Sequence, residues 1–407
     1  MMARWRTRLG SLPSDPEMDR LFDLGLLAVA GLLSFIVFAR VPVHALSPDF
    51  HSEFKHHALL LKTLESKGTP PYSLWYVIQR VLVGRNFRDE LLLLNAAWLM
   101  LGALAFLKGI VLTGVLLATS ASRLSALVVG FLLGTAVAFP MPWLTRESQV
   151  TDGPINYLGT LPPNVFMSAT QLVANIAAVV AVVTLTLWFQ KPTVVRFASM
   201  VLMALVATLA KPGIAPALIA TVALLSVLLV RDRRVSLRTA VVQFAITGVL
   251  VGLPLLAAYK GFMAGTGLNG LHSVLMPFDV WTTFTSQWFP DLIASWAFPI
   301  VVIGALWVAR SDSVTRPVWL LPAWSVVVVA TLMFALLGEV DGAGKVVYAG
   351  NFAWGAIAAT SGLYAVSAIA LRNVPWRVRW VPITVLVVQA VAGLVYINEY
   401  IKTGNFV

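Results

Sequence analysis

The chain contains no cysteine, which removes disulfide frameworks, thiolate metal sites and thiol nucleophiles together. Charge is scarce as well. Charged residues make up 12% of the 407 residues and hydrophobic residues 59%, with a mean hydropathy of +0.85, whereas a soluble domain carries roughly 25% charged residues. A soluble fold of this composition would leave too much apolar surface in water, so a polytopic membrane protein is expected. Histidine is rare, five in all, and any metal would have to be held by His, Asp or Glu. The net charge of +11 does not point to nucleic acid, because the basic residues concentrate in short connections between apolar runs, where they act as topology signals.

A span needs about 20 apolar residues. Eleven runs qualify as candidates: 21–41, 91–118, 124–141, 170–189, 196–210, 213–230, 239–259, 293–309, 318–337, 352–371 and 381–397. The expected fold class is therefore all-α, a single transmembrane helical bundle without internal repeat or soluble domain. The polar stretch Met1–Arg20 precedes the first run, and no small-residue cleavage site follows it at Arg40-Val41-Pro42. That run reads as a retained span rather than a removed signal peptide. With the N-terminus inside, Arg123, Lys191, Arg196, Arg231, Arg233, Arg234, Arg238, Arg310, Arg316, Arg372, Arg377 and Arg379 all fall on the cytoplasmic side, as the positive-inside rule requires. Most acids fall outside, and an odd span count puts Asn398–Val407 outside too. Run 91–118 is kept as one long tilted helix, with Lys108 snorkelling or paired inside the protein.

The loops assigned to the outer face are unequal. Loop 42–90 is the longest, and 142–169 and 260–292 are intermediate. Within the first, Phe50, Phe54, His57, Leu61 and Leu64 recur at helical spacing, as do Leu74, Trp75, Ile78, Val81 and Leu82, with Gly68-Thr69-Pro70-Pro71 between them. Two amphipathic helices on the outer membrane surface fit this pattern.

Four polar constellations stand out against the apolar background. Asp49-Phe50-His51-Ser52-Glu53-Phe54-Lys55-His56-His57 holds three of the five histidines, and ionisable groups beside a span are costly enough to suggest function. Asp49, Glu53 and His56 share a helical face; a carboxylate beside imidazoles serves as a general base or binds a divalent cation, although the spacing matches no defined metal motif. Asp49 also suits a helix N-cap. The second constellation runs from Arg146-Glu147 through Asp152 and Tyr157-Leu158-Gly159 to Asn164, an ordered lid or a plain connection. The third is Lys211-Pro212, where proline opens the backbone and two short spans meet at a cation, a geometry for phosphate or carboxylate unless the lysine merely snorkels. The fourth joins Glu339-Val340-Asp341-Gly342 to Gly350-Asn351-Phe352-Ala353-Trp354-Gly355, with Trp354 as site residue or interface anchor.

The N-inside spans, the long first outer loop with two surface helices and the early acid Asp49 resemble a membrane glycosyltransferase of the GT-C superfamily. Asp49-Phe50-His51, Tyr157-Leu158-Gly159, Lys211-Pro212 and Gly350-Asn351-Phe352-Ala353-Trp354-Gly355 are similar to motifs of a group of bacterial membrane proteins; Ser168-Ala169-Thr170 departs from that pattern, which has Asn-Pro-Thr. The resemblance implies transfer of a sugar from a polyprenyl-phosphate donor to a glycan or lipid acceptor, outside the cytoplasmic membrane. It implies that Asp49 acts as base or orients the acceptor; on an enzyme reading His51, Glu53, His56 and His57 support it, and Lys211 and Arg146 neutralise the lipid phosphate. Tyr157, Glu339 and Asn351 would contact substrate. No cofactor is implied, and a divalent cation is left open. The alternatives are a transporter or flippase of lipid-linked glycans, a glycan polymerase, and an accessory subunit without chemistry.

Overall fold

The computed structural model describes residues 16–45, 53–66, 68, 73–119, 122–137, 161–164, 168–257, 272–285, 288–309, 317–341, 343–346 and 351–403. Asp49, His51, Arg146 and Tyr157 lie outside the described residues.

The described chain is a helical bundle. Its helices are α1 (Pro16–Phe38), α2 (Glu53–Ser66), α3 (Leu74–Val83), α4 (Glu90–Leu117), α5 (Arg123–Thr135), α6 (Ala169–Gln190) and α7 (Val194–Ala210). There follow α8 (Ala215–Arg231), α9 (Leu237–Thr247), α10 (Asp279–Phe284), α11 (Trp288–Val308), α12 (Leu321–Leu336), α13 (Asn351–Leu371) and α14 (Trp376–Thr403). Among the described residues, eight helices are long and apolar enough to cross a membrane, counting the 3-10 turn Pro212–Ile214 with α8 and the π turn Gly248–Gly252 with α9. This is a multi-pass membrane protein. Its buried centre is α13, whose span window is wholly enclosed, while α1 and α9 present most of their apolar side chains outward.

Each of the eleven apolar runs coincides with a helix, but three of these helices are short: α5 has 13 residues, α7 17 and α12 16. Run 91–118 is a single helix of 28 residues. The expectation for 124–141 needs correction. Helix α5 stops at Thr135, Ala136 turns to an extended conformation, and 13 residues rise only about 20 Å. The end is held from afar. Lys108 Nζ donates to Gly134 O at 2.8 Å, and Asn164 Nδ2 donates to Leu133 O at 2.8 Å and Ala136 O at 2.6 Å. Helix C-termini leave carbonyls without partners, and in an apolar medium such groups must be satisfied internally. Lys108 is 5% exposed, and its ammonium also lies 4.4 Å from the Phe38 ring centroid. It is paired inside the protein rather than snorkelling.

The two helices of the first loop are present, and both are pinned to the bundle. Phe54, Ala58, Leu61 and Leu64 of α2 are buried. On α3 the packed face is Trp75, Tyr76, Gln79 and Val83, whereas Ile78, Val81 and Leu82 are exposed. Of the apolar positions expected from periodicity, Trp75 is buried and Leu74 half-buried against the bundle, while Ile78, Val81 and Leu82 face away from the protein. Gln79 Nε2 donates to Ala58 O at 2.9 Å and Leu93 O at 3.1 Å, and ion pairs Arg80–Glu65 at 2.5 Å and Lys62–Glu90 at 2.7 Å tie α2 to α3 and α4.

One element was not legible from periodicity. Strand β1 (His272–Leu275) pairs antiparallel with β2 (Leu337–Val340), setting Ser273 opposite Glu339. The ribbon carries Glu339 directly from the end of α12 into a buried position.

Candidate functional site

The site is built where the break between α7 and α8 meets the start of α13. Helix α7 ends at Ala210, because Pro212 lacks an N–H and disfavours helix at Lys211; Lys211 takes an extended conformation with φ −154° and ψ 113°. A 3-10 turn follows, and α8 resumes at Ala215. The turn packs on the start of α13. A Cβ at Gly213 would lie 2.6 Å from Asn351 O and 2.9 Å from Gly355 N, and a Cβ at Gly355 would meet Gly213 O. The two glycines let main chain touch main chain.

That contact presents four side chains together. Lys211 Nζ lies 3.7 Å from the Trp354 ring centroid, a cation–π contact worth roughly 0.5–2 kcal/mol depending on hydration. One helical turn away, Asn351 Nδ2 donates at 2.6 Å to Glu339 Oε2. Glu339 is 2% exposed, while Lys211 and Asn351 are half-buried. Behind the platform, Gln171 Nε2 on α6 donates to Trp354 O at 3.0 Å and to Asn175 Oδ1 at 2.5 Å.

Helix α3 brings the first loop to the same place. Ser73, just before it, donates from Oγ to Ala210 O at 2.8 Å and is buried. Tyr76 lies three residues on, and its hydroxyl shares a hydrogen bond with His57 Nδ1. His57 is half-buried; His56 is exposed, with its ring 5.8 Å from that of His57. Glu53 opens α2.

The structure therefore brings Lys211, Glu339 and Asn351 together around the start of α13 and ties His57 to Tyr76 of α3, the helix whose preceding Ser73 bonds Ala210 O. His56 stands on the same helix as His57. Among the described residues, no three of His, Asp and Glu converge as metal ligands. Tyr76, Gln171 and Asn175 had not been singled out from sequence. For the two amides a signal existed: they stand at i and i+4 inside the apolar run 170–189, where polar groups are expensive.

Chemically, the cluster offers an ammonium fixed on an indole face, a buried carboxylate–amide pair and an imidazole–phenol pair. These suit an anionic group lying beside hydroxyls. No protein-family model, no curated protein and no solved structure matches the chain.

Proposed function

We propose that the protein is a GT-C-like glycosyltransferase of the cytoplasmic membrane that moves a sugar from a polyprenyl-phosphate donor to a glycan or lipid acceptor on the outer face. The observation that carries this reading is the Lys211 ammonium, held on Trp354 at a helix break beside the buried Glu339–Asn351 pair. In the proposed inverting step, Asp49 takes the proton of the acceptor hydroxyl as its oxygen attacks the anomeric carbon. The bond from that carbon to the phosphate oxygen breaks, and the phosphate leaves with the electron pair. Lys211, with Arg146, offsets the charge that develops there. Asn351, Glu339 and Tyr157 hold sugar hydroxyls, and His51, Glu53, His56 and His57 orient the acceptor, with or without a divalent cation.

The topology proposed with it has eleven crossings, the N-terminus inside and the C-terminus outside, with α5, α7 and α12 counted as short spans. Two contacts support it. Arg123 pairs with Asp19 at 2.8 Å and with Asp23 at 2.6 Å at the start of α1, and Arg234 donates to Gln190 O between the connections after α6 and α8. Both join segments that this topology assigns to the cytoplasmic side.

The test is Asp49→Asn in purified protein, reconstituted with polyprenyl-phosphate sugars and membrane-derived acceptors. Transfer should fall about 10²–10⁴-fold, the usual contribution of a general base, with helix content and elution volume unchanged. Full transfer in that variant would sink the assignment.

A second reading, transport of a lipid-linked glycan, is favoured by one observation: Lys108, Asn175 and Tyr364 bring polar groups to the interior of three span-length helices. Movement of labelled carrier lipid across vesicles that lack any acceptor distinguishes it.

A further inference from the structure

Arg234 joins the connection after α6 to the connection after α8. Its guanidinium donates to Gln190 O and lies 5.6 Å from the Phe189 ring centroid. The contact brings Lys191 of the first connection to the same face as Arg231, Arg233, Arg234 and Arg238 of the second, and all five are exposed. From Lys191 to Arg238 the chain has a single acid, Asp232, and it pairs with Arg231 at 3.2 Å. Among the described residues, Lys191, Arg233 and Arg238 have no acidic partner.

Topology alone explains basic residues in a connection, but it does not require cations of two connections to meet uncompensated. Arg123 shows the contrast, since Asp19 and Asp23 both pair with it. Two further observations narrow what the face suits. The first turns of α7 and α9 point apolar side chains outward beside the cations: Val194, Val195 and Leu237 are 81%, 74% and 68% exposed. A free anion would use the cations and leave this apolar edge bare, whereas a lipid with a charged headgroup covers both. Arg233 has φ +55°, the left-handed conformation after a helix where glycine is favoured. A charge is kept there although the backbone favours a residue without a side chain.

We propose that this face binds one anionic phospholipid. Cations of both connections hold its phosphate, and its acyl chains lie along the first turns of α7 and α9. On the topology proposed above the lipid belongs to the cytoplasmic leaflet, but the site does not depend on that orientation. Helix α7 runs from this face to Lys211, and α8 returns to it from Ala215. The lipid therefore ties together the far ends of the two helices that meet at Lys211-Pro212.

A single bimane label at Val195→Cys in the full chain tests this, because no other thiol competes. The labelled protein is placed in phosphatidylcholine nanodiscs with a minor share of brominated phosphatidylglycerol or brominated phosphatidylcholine, whose bromines quench a dye in contact. Phosphatidylglycerol should be favoured at the label by at least about ten-fold, since each cation near an anionic headgroup multiplies binding about five-fold. Arg233→Gly should lower that preference about five-fold, and adding Arg238→Gln should lower it about as much again. Glycine suits the backbone at position 233, so Arg233→Gly should melt no lower than the native protein and the lost preference is not a folding defect. Equal quenching by the two lipids, or a preference that survives both substitutions, overturns the proposal. Protection of the label from both lipids, as a second copy of the chain seated on the face would give, overturns it too.

Discussion

Lys211 and Trp354 are 143 positions apart in the chain, yet the ammonium of one lies 3.7 Å from the ring centroid of the other. Lysine is a flexible cation with four methylenes to order, and the indole face restricts it. Trp354→Leu should therefore weaken donor binding while keeping the charge, and Trp354→Phe should keep part of the effect. Lys211→Met is expected to lower transfer about 10²–10³-fold, the usual effect of losing a preorganised electrostatic partner. Rates for these three variants against the native protein check the order.

The Gly213–Gly355 contact gives a stability prediction. A methyl at either position meets main chain, which cannot rotate away. Gly213→Ala and Gly355→Ala should each cost about 1–3 kcal/mol, as overpacking does. Ala, rather than a larger residue, isolates the effect of one Cβ. Heating in detergent followed by size-exclusion chromatography measures it.

How much of this arrangement was legible beforehand follows from its range. The helices were, since a run of apolar residues reports its own length, and Lys211-Pro212 marked its own break by local chemistry. The early stop of α5 was not. Its carbonyls are capped by Lys108 and Asn164, which stand 26 to 31 positions from them, and the apolar run itself continues past Thr135. The packed face of α3 was not legible for another reason: in a bilayer, side chains facing lipid are as apolar as those facing protein, so periodicity does not tell the exposed Ile78 and Val81 from the buried Trp75. The β1–β2 ribbon joins segments too far apart for any local pattern to pair them.

Asn164 should matter to stability beyond its size. It satisfies two carbonyls at once, and Asn164→Leu leaves both without that partner. An orphaned buried acceptor costs about 1–3 kcal/mol, so the variant should lose more stability than Ser66→Ala, which removes an exposed hydrogen bond to Thr63 O. Urea denaturation in mixed micelles, followed by tryptophan emission, compares the two.

The absence of cysteine makes topology measurable without background. Ala343 and Asp232 are both exposed. With the proposed orientation, a membrane-impermeant maleimide added to intact cells should label Ala343→Cys and leave Asp232→Cys unlabelled until the membrane is broken. The reverse pattern would invert the topology and move the Lys211 cluster to the cytoplasmic face.

The Gly213–Gly355 contact also bears on how such a protein diversifies. Because backbone meets backbone there, the place where Lys211 and Trp354 leave the main chain is set without help from the Asn351 or His57 side chains. The residues proposed to contact substrate, such as Asn351 or His57, can then be exchanged in descendants without moving the Lys211–Trp354 pair. Specificity and charge placement are therefore separately heritable in this architecture, and a substitution at either glycine would bind the two together.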